Sequence, residues 1–580
     1  MDYQPNVDDT AFIFLDVLKA PARLQALACH TQTDAALMRQ VLEEAGKFVA
    51  QEVAPLQGVG DSIGCRWDAG RVTTPPGFQA AYRAFWQAGW PALACAPEDG
   101  GQGLPLALEA ILYEMLSAAN HGWTMAPGLL HGAYECIRQH ASEELKATYL
   151  AKVASGEWLA TMCLTEAHAG SDLGLVRTRA VPQADGSYQI SGTKIFISGG
   201  EHDLSGNIVH LVLARIPDAP AGSRGLSLFL APKILPAGAR NTIDCERIED
   251  KMGLHGSPTC VLRFDAASAW LVGDPNRGLN AMFVMMNAAR LHVGLQGLGL
   301  LEAAWQKADA YSRERRQMRA PRAGAQARTG PDPIAEHPAM RRILDTQRAW
   351  IDGGRVLAYH TAIELDMARH HPLAQRRESA QRWCSLVTPV LKSAFTQQAF
   401  HGASECLQVL GGHGYMREWG VEQIVRDARV SMIYEGTNEI QAIDLLLRKV
   451  LADGGSAIGA LLADLGAELD ASAPGQSAVL RRFAALQMLT AKLASACRAD
   501  TTMAYWVAED YLRSVALALM AWAWMQIQKA VARDKARAGD PARWAAPAAA
   551  LRRWILPEFD MRMTIMAKLV AGDTSATQQA

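Results

Sequence analysis

The residue best suited to proton transfer is Glu435, a lone carboxylate between an apolar run and a glycine in segment 430–440, VSMIYEGTNEI. If the fold buries this side chain, desolvation raises its pKa above the usual value of about 4.3 and makes it a better base near neutral pH. Without further support, an exposed loop glutamate is the favoured interpretation. Proton abstraction by Glu435 is therefore a hypothesis that depends on its surroundings.

Closely spaced glycines upstream of Glu435 could admit a phosphate or a flat ligand to the backbone. Gly411, Gly412 and Gly414 lie in segment 408–414, QVLGGHG, which begins with Gln408. Glycine tolerates positive φ and leaves its N–H group uncovered, which suits anion binding. A helix that ends at a glycine cap explains the pattern at least as well.

Two further segments carry hydroxyl and aromatic side chains that suit a polar ring. Thr165 and Ser171 flank Gly170 in segment 162–172, MCLTEAHAGSD, and could bond a heteroaromatic ring or phosphate. Phe196 and Ser198 lie two residues apart on a predicted strand, so alternation places them on one face. An ordinary Ser/Asp turn and a strand with one buried face are the alternatives.

No metal site is expected from the cysteines and histidines. The ten cysteines are scattered and form no CxxC spacing. The histidines also lack metal-ligand spacing, as at His30, His168, His202 and His255. Buried thiols and satisfied or solvent-facing histidines are the expected roles, and neither zinc nor a disulfide framework is predicted.

Hydrophobic periodicity indicates the elements that must position these residues. Helical spacing covers residues 33–156 and returns from Gly278 onward. Between them lie four short β-branched or alternating runs, at 188–197, 208–213, 225–230 and 260–264. Because no helix-length segment separates them, these runs predict an antiparallel sheet or small barrel. The pair Gly454 and Gly455 precedes another helical pattern and marks a candidate boundary of a last helical domain.

Composition narrows the class of protein. The 580 residues include 57 Lys and Arg against 59 Asp and Glu, a net charge of -2 that argues against a nucleic-acid partner. With 49% hydrophobic residues and a mean hydropathy of -0.02, the chain can bury large cores. Its start lacks a secretory signal, and its most apolar stretch, 515–525, is shorter than the roughly 20 residues of a membrane span. A cytoplasmic protein without an integral membrane segment is predicted.

Seven segments in order resemble the motifs of one family, the flavin-dependent acyl-CoA dehydrogenases. They are PEDGGQG at 97–103, LTEAHAGSD at 164–172, GTKIFISGG at 192–200, KMGLHGSPT at 251–259, YSRER at 311–315, QVLGGHG at 408–414 and YEGT at 434–437. The resemblance implies a mainly α fold with a central β domain: a helical domain, a β-barrel domain and a four-helix bundle. Here these would occupy 33–157, 158–270 and 271–453, between an N-terminal extension, 1–32, and an additional C-terminal helical domain, 454–580.

The resemblance also implies roles for individual residues. Glu435 matches the base that removes the α-proton of an acyl-CoA thioester while a β-hydride passes to flavin N5, giving a 2-enoyl-CoA. FAD is the implied cofactor, and its contacts would be Thr165, Gly170, Ser171, Phe196, Ser198, Arg315, Gln408, Gly411, Gly412 and Thr437. Substrate contacts would be Ser171, Asn287, Arg290, Tyr434 and Gly436. A homo-oligomer, dimer or dimer of dimers, and an electron-transfer flavoprotein as electron acceptor are also implied.

The chain departs from the family pattern at three positions. Ala167 replaces the usual proline, Phe196 the usual tryptophan, and Met318 a frequent phenylalanine. The first two changes soften the flavin loop and reduce the stacking area without removing a required chemical group. Some members carry the base just before the position of Arg290, where this chain has Ala289, so Glu435 is left as the base candidate.

The sequence indicates the acyl-CoA substrate and the electron acceptor less closely than the reaction. The extra C-terminal domain resembles a long bacterial branch of the family, which points to 3-methylmercaptopropionyl-CoA, a thioether substrate. A general short- or medium-chain acyl-CoA dehydrogenase and an acyl-CoA oxidase that uses oxygen are the alternatives. A non-catalytic, acyl-CoA-binding helical scaffold ranks lower, because a scaffold has no need of Glu435 together with Thr165 and Arg315.

Overall fold

The computed structural model describes residues 2–321 and 330–572, with only the backbone described at 287, 288 and 474. The chain separates into two compact units. Among the described residues, the helical unit comprises 3–46, 293–321 and 330–572, and the β-containing unit comprises 47–292. The predicted boundaries at 32, 157, 270 and 453 do not coincide with this division and stay predictions.

Nineteen α-helices account for most of the described chain. In chain order they are α1 Val7–Ala11, α2 Ala20–Leu24, α3 Ala35–Phe48, α4 Gln57–Ile63, α5 Phe78–Gln87, α6 Leu106–Thr124, α7 Leu130–His140, α8 Glu143–Leu145, α9 Ala151–Ala154, α10 Gly278–Glu314, α11 Pro338–His370, α12 Ala374–Leu410, α13 Val421–Arg429, α14 Asn438–Ile443, α15 Ser456–Ala467, α16 Pro474–Ala499, α17 Met503–Arg533, α18 Pro541–Ala550 and α19 Pro557–Val570. The helices predicted from Gly278 and after Gly455 are confirmed as α10 and α15.

The strands belong to the β-containing unit. They are β1 Arg66–Asp68, β2 Arg71–Thr73, β3 Leu159–Cys163, β4 Arg179–Pro182, β5 Tyr188–Ser198, β6 Ile208–Ala214, β7 Ser227–Pro232, β8 Ile243–Ile248 and β9 Thr259–Val272. The strands β1 and β2 form a hairpin, and the others form one sheet in the order β3-β6-β7-β9-β5-β4, with β8 also paired to β9. The four predicted runs are confirmed as β5, β6, β7 and β9. The central β domain among helices, with further helices at the C-terminus, confirms the predicted fold class.

The pairings among the four predicted strands are antiparallel, as expected, but one edge of the sheet carries a parallel strand that was not predicted. β3 pairs parallel with β6, in register from Leu159 with Ile208 to Cys163 with Val212. A parallel pair needs a long crossover, which the chain supplies by forming β4 and β5 before it reaches β6. β3 escaped prediction because a short apolar run has the same periodicity in a buried strand as in a helix.

Close contact between α11 and α17 joins the C-terminal helices to the bundle core. A Cβ atom added at Gly353 would lie 2.6 Å from Met520 Cε and 3.0 Å from Trp524 Cδ1, so glycine allows this approach without displacing the flexible side chain of Met520. Nearby, Trp524 Nε1 donates a hydrogen bond of 2.9 Å to the Ala349 carbonyl. The helix α17 is thereby part of the same core as α11.

One described helix, α17, is long and apolar enough to cross a membrane by length and composition, and 67% of its apolar window is buried inside the fold. Residues 515–525, judged too short from the sequence, are the centre of this 31-residue helix. The segments Asn438–Asp453 and Ser456–Ala467 reach the length and apolar composition of a membrane span only when they are taken together, and they are bent by 94° at the break between them. Packing against α11 accounts for the apolar composition of α17, as in a core helix.

A buried ion-pair network links α1, α10, α11 and α18. Fully buried Asp352 accepts hydrogen bonds from Arg348 at 2.6 Å and from Arg543 at 2.7 Å. Arg543 also donates to Asp9 at 2.9 Å, and Arg348 to Glu302 at 2.7 Å. Burial alone would raise the pKa of Asp352, but the two guanidinium groups hold it well below its usual range. The carboxylate is therefore buried in its charged form.

Replacing Arg543 by methionine should destabilise the helical unit. The substitution removes a cation that Asp352 and Asp9 share, and breaking a buried ion pair costs about 3–5 kcal/mol. Urea unfolding followed by circular dichroism would measure the loss. Arg537→Met is the matched control, because Arg537 is 67% exposed and pairs with Asp16 at 2.7 Å. Equal losses in the two variants would contradict the importance of the buried network.

Candidate functional site

Three candidate residues of the β-containing unit, Thr165, Gly170 and Ser171, lie on a loop fixed by Glu166. Its side chain is 4% exposed, and Oε1 accepts hydrogen bonds from Thr178 Oγ1 at 2.6 Å and from the Thr178 N–H at 3.0 Å. The N–H of Arg177 donates to Oε2 at 2.8 Å. These hydrogen bonds hold segment 164–172 against residues 177 and 178.

Lys194 provides the charge that balances Glu166. It is fully buried in β5, and its Nζ donates to Glu166 Oε1 and to the Leu164 carbonyl, both at 2.9 Å. Burial opposes ionisation of Glu166, but Lys194 and the hydrogen bonds lower the pKa of this carboxyl to about 2. The ion pair therefore joins two of the segments that the sequence singled out, although neither partner was predicted as a site residue.

The predicted residues of this loop differ in exposure. Thr165 is half-buried, and its carbonyl accepts the N–H of Ile195 at 2.9 Å. Gly170 and Ser171 are exposed, and a Cβ atom at Gly170 would meet nothing within 4 Å. The loop is anchored at its buried end and open at its tip, where a ligand can reach backbone and hydroxyl groups.

Phe196 lies at a bulge in β5. Its φ is +59°, rare for an aromatic residue, and the pairing with β9 shifts between Lys194 and Ile197. Phe196 is 60% exposed, whereas Ile197 is buried and Ser198 is half-buried. The bulge interrupts simple alternation, yet Phe196 and Ser198 still flank a buried residue on the side away from the core.

In the helical unit, Glu435 lies in the short loop before α14. It is half-buried and adopts φ of +56°, and its carbonyl accepts Gln441 Nε2 at 3.0 Å. The hydroxyl of Tyr434 donates to Gln296 Oε1. Burial, with a contribution from Glu435, raises the pKa of Tyr434 well above its usual value. Tyr434 is therefore neutral and held toward α10.

Lys392 fixes the other side of this loop. This buried residue of α12 donates from Nζ to the Gly436 carbonyl at 2.7 Å and to Asn438 Oδ1 at 2.9 Å. Thr437 caps α14 by accepting the N–H of Ile440 at 3.3 Å. The backbone of Glu435 is thus held on both sides, and the sequence offered no signal for Lys392 because it lies outside every quoted motif.

The glycine turn ends α12. Gly411 has φ of +59°, so the helix-cap alternative is realised. A Cβ atom at Gly411 or Gly412 would meet nothing within 4 Å, and Gln408 is exposed. The cap and an open backbone surface coexist at this turn.

Two motifs of the helical unit come together through His413. Its Nδ1 lies 2.9 Å from the hydroxyl of Tyr311, four residues before exposed Arg315, and its ring stacks on Trp419 at 4.8 Å. The turn at 411–414 therefore lies beside the end of α10. The sequence did not identify His413 as the link.

The residues predicted for the CoA end are less completely described. Arg290 is half-buried on α10, and Ala289 is buried. The side chain of Asn287 lies outside the described residues. Their assignment to substrate binding stays a prediction.

Family models match most of the chain. The acyl-CoA dehydrogenase N-terminal domain matches residues 37–157, the middle domain 161–267 and the C-terminal domain 276–450. A 3-methylmercaptopropionyl-CoA dehydrogenase of Ruegeria pomeroyi is 46% identical over 78% of this chain and 77% of its own length.

Two solved structures share the fold. A Caenorhabditis elegans protein, ACDH-11 in complex with C11-CoA, superposes with a TM-score of 0.76 and 21% identity over 98% of this chain and 94% of its own. A Bacillus anthracis acyl-CoA dehydrogenase complexed with FAD gives 0.61 and 20% identity over 93% and 96%. The likeness extends over the C-terminal helices, beyond the residues that the family models match.

Acid should weaken the β-containing unit through Glu166. Because its folded pKa of about 2 lies below the unfolded value of about 4.3, ionisation of Glu166 stabilises the fold above pH 4.3. This stabilisation is lost as the pH falls toward 2. Glu166→Gln should lower the thermal midpoint at pH 7, and the difference from the unmodified protein should narrow between pH 6 and pH 3.

Glu246→Gln is the matched control for that experiment. Glu246 lies on β8 of the same sheet and is exposed, so its replacement should leave the midpoint nearly unchanged. A Glu166→Gln profile parallel to that of the unmodified protein at every pH would contradict the role of the ion pair.

Proposed function

The chain belongs to the acyl-CoA dehydrogenase family, whose members are FAD-containing oxidoreductases of acyl-CoA, and we propose that Glu435 is the base of its reaction. The reaction would remove one hydrogen from each of Cα and Cβ of an acyl-CoA thioester and give the 2-enoyl-CoA. Glu435 would take the α-hydrogen as a proton.

The conformation of Glu435 is the observation that carries this assignment. A residue other than glycine at positive φ is strained, and such strain concentrates at functional sites. The bonds from Gln441 and Lys392 to the carbonyls of Glu435 and Gly436 hold the strained backbone from both sides. The carboxylate is therefore presented by a rigid loop, as proton transfer in a defined geometry requires.

An α-proton becomes acidic enough for a carboxylate only when the thioester carbonyl is polarised. The resemblance assigns part of that polarisation to the backbone N–H of Glu435, which acts as a hydrogen-bond donor to developing negative charge. One residue would then supply both the base and a donor. Its fixed φ would set the direction of that N–H relative to the carboxylate.

The residues present suit FAD. Phe196 exposes an aromatic face beside half-buried Ser198, and Thr165 offers a hydroxyl. The backbone at Gly411 and Gly412 is uncovered. We propose that Phe196, Ser198 and Thr165 hold the ring system. The two glycines, with Gln408 and Arg315, would hold the ADP part of an FAD across a subunit boundary. When bound, FAD supplies the two-electron acceptor for the hydrogen that leaves Cβ.

The preferred substrate that we propose is 3-methylmercaptopropionyl-CoA, with Arg290 toward its CoA end. The 46% identity to a dehydrogenase of that name supports it. A general short- or medium-chain acyl-CoA specificity is the second candidate. We also propose that the protein is a cytoplasmic homo-oligomer that passes electrons to an electron-transfer flavoprotein.

A panel of acyl-CoA thioesters should separate these substrates. With an artificial electron acceptor, the methylthio-propionyl thioester should give kcat/KM at least tenfold above butyryl-CoA and octanoyl-CoA. Preference for either straight-chain thioester would favour the second candidate. Peroxide formation at the full turnover rate without an acceptor protein would identify an oxidase instead.

Glu435→Gln should abolish reduction of the flavin while keeping the fold. The amide cannot accept the proton, and loss of a general base lowers a rate by about 10²- to 10⁴-fold. Anaerobic stopped-flow bleaching of the flavin absorption band would measure the step. Glu439→Gln is the control, because Glu439 is an exposed glutamate four residues away in α14. Bleaching by Glu435→Gln at the native rate would refute the base assignment.

A further inference from the structure

A cavity of about 620 Å³ lies within the helical unit, and its lining includes neither Glu435 nor any residue proposed to hold FAD or the substrate. Its walls come from residues 17–23, from α11 and α12 of the bundle, and from α15 and α17 of the C-terminal helices. Small-molecule sites generally measure roughly 300–1,000 Å³. The cavity is therefore large enough for a metabolite, and it depends on both chain extensions.

The floor of the cavity retains positive charge. Arg376 donates two bonds of 2.6 Å to the carboxylate of Glu364, which is 5% exposed, and Arg23 donates to the same carboxylate. Two guanidinium groups thus share one anion. Burial, aided by Arg23, lowers the pKa of neighbouring His360 to about 4, so this histidine adds no charge at neutral pH.

The mouth of the cavity carries two further cations whose hydrogen-bond acceptors are backbone carbonyls. Lys529 donates to the Glu468 carbonyl at 2.6 Å, and Arg533 donates to the Asp16 carbonyl at 2.7 Å. Within residues 2–321 and 330–572, neither forms a close ion pair with a carboxylate, and Lys529 interacts with the exposed carboxylate of Asp470 only at longer range. A backbone carbonyl carries only partial charge, so both cations keep much of their attraction for an anion.

The carboxylates on the lining do not neutralise this charge. Five cationic side chains line the cavity, against the three carboxylates of Glu364, Asp464 and Glu468. Glu468 Oε2 is bonded to neutral donors, Trp522 Nε1 at 3.2 Å and Gln526 Nε2 at 2.8 Å. Asp464 lies 3.7 Å from Arg382, which is outside the lining. A positive excess therefore remains at the cavity.

We propose that this cavity binds a small organic anion with at least two negative groups, a polycarboxylate or a phosphate compound. One group would bond to Arg23 and Arg376 on the floor, and the other to Lys529 and Arg533 at the mouth. At Lys529 and Arg533 an anionic acceptor would replace backbone carbonyls, which carry only partial charge. At Arg23 and Arg376 the anion would share the two guanidinium groups with Glu364, which has one negative charge for both. The ligand would join the N-terminal residues, the bundle and the C-terminal helices.

Isothermal titration calorimetry on the full-length, FAD-loaded protein tests this proposal. Citrate and inorganic pyrophosphate are the probes, with acetate as the monovalent comparison, all at constant ionic strength. We expect one site per chain for citrate or pyrophosphate, and the tighter probe distinguishes a polycarboxylate from a phosphate ligand. Absence of binding by both probes, or equal binding of acetate, would overturn the proposal.

Variants locate the binding. Lys529→Gln combined with Arg533→Gln should weaken the tighter probe at least tenfold, because both cations of the mouth are lost. Lys535→Gln is the matched control, because Lys535 is exposed, lies just beyond α17 and is not part of the cavity lining. This variant should bind the probe with unchanged affinity. An unchanged affinity in the double variant would place the anion elsewhere and refute the cavity as its site. The unliganded thermal midpoint of each variant verifies that the fold is retained.

Discussion

The buried carboxylate of Asp352 is the constraint on which the helical unit depends. A charge without solvent is tolerated only when cations and hydrogen bonds surround it, and here Arg348 and Arg543 supply both. Arg543 belongs to the added C-terminal helices and also bonds Asp9 near the N-terminus. The two extensions therefore complete an ion network whose centre lies in the bundle. Gly353, next to Asp352, lets α17 approach α11. The side chains of Met520 and Trp524 then pack in the same region.

The two candidate segments share a physical design. In each, a residue other than glycine adopts positive φ, Phe196 at the bulge of β5 and Glu435 in the loop before α14. In each, a buried lysine bonds the nearby backbone: Lys194 holds the loop that contains Leu164, and Lys392 holds Gly436. The strained backbone at each of these residues is thus held by a buried, charged lysine. Rigid support of this kind is what precise placement of reacting groups requires.

Sequence patterns predicted the elements whose signal is local. The long helix from Gly278 and four strands followed from periodicity, and the motif resemblance identified the family. Contacts between distant segments left no local signal: neither the pair Glu166 and Lys194 nor the bonds of Lys392 could be deduced from spacing. The parallel pairing of β3 was missed for the same reason, because its partner lies beyond two intervening strands. The added C-terminal helices were predicted, but their entry into the core of the bundle was not.

The bond between Asp9 and Arg543 spans 534 positions of the chain. During synthesis, α1 leaves the ribosome long before α18, yet its ion pair can close only after α18 has been made. Contacts of such sequence separation form slowly, because a long loop must be ordered before they stabilise anything. The helix α1 is thus made early but reaches its final partner late. Until then, the face of α11 that α17 covers stays open, and the unfinished chain is most exposed to aggregation at that stage.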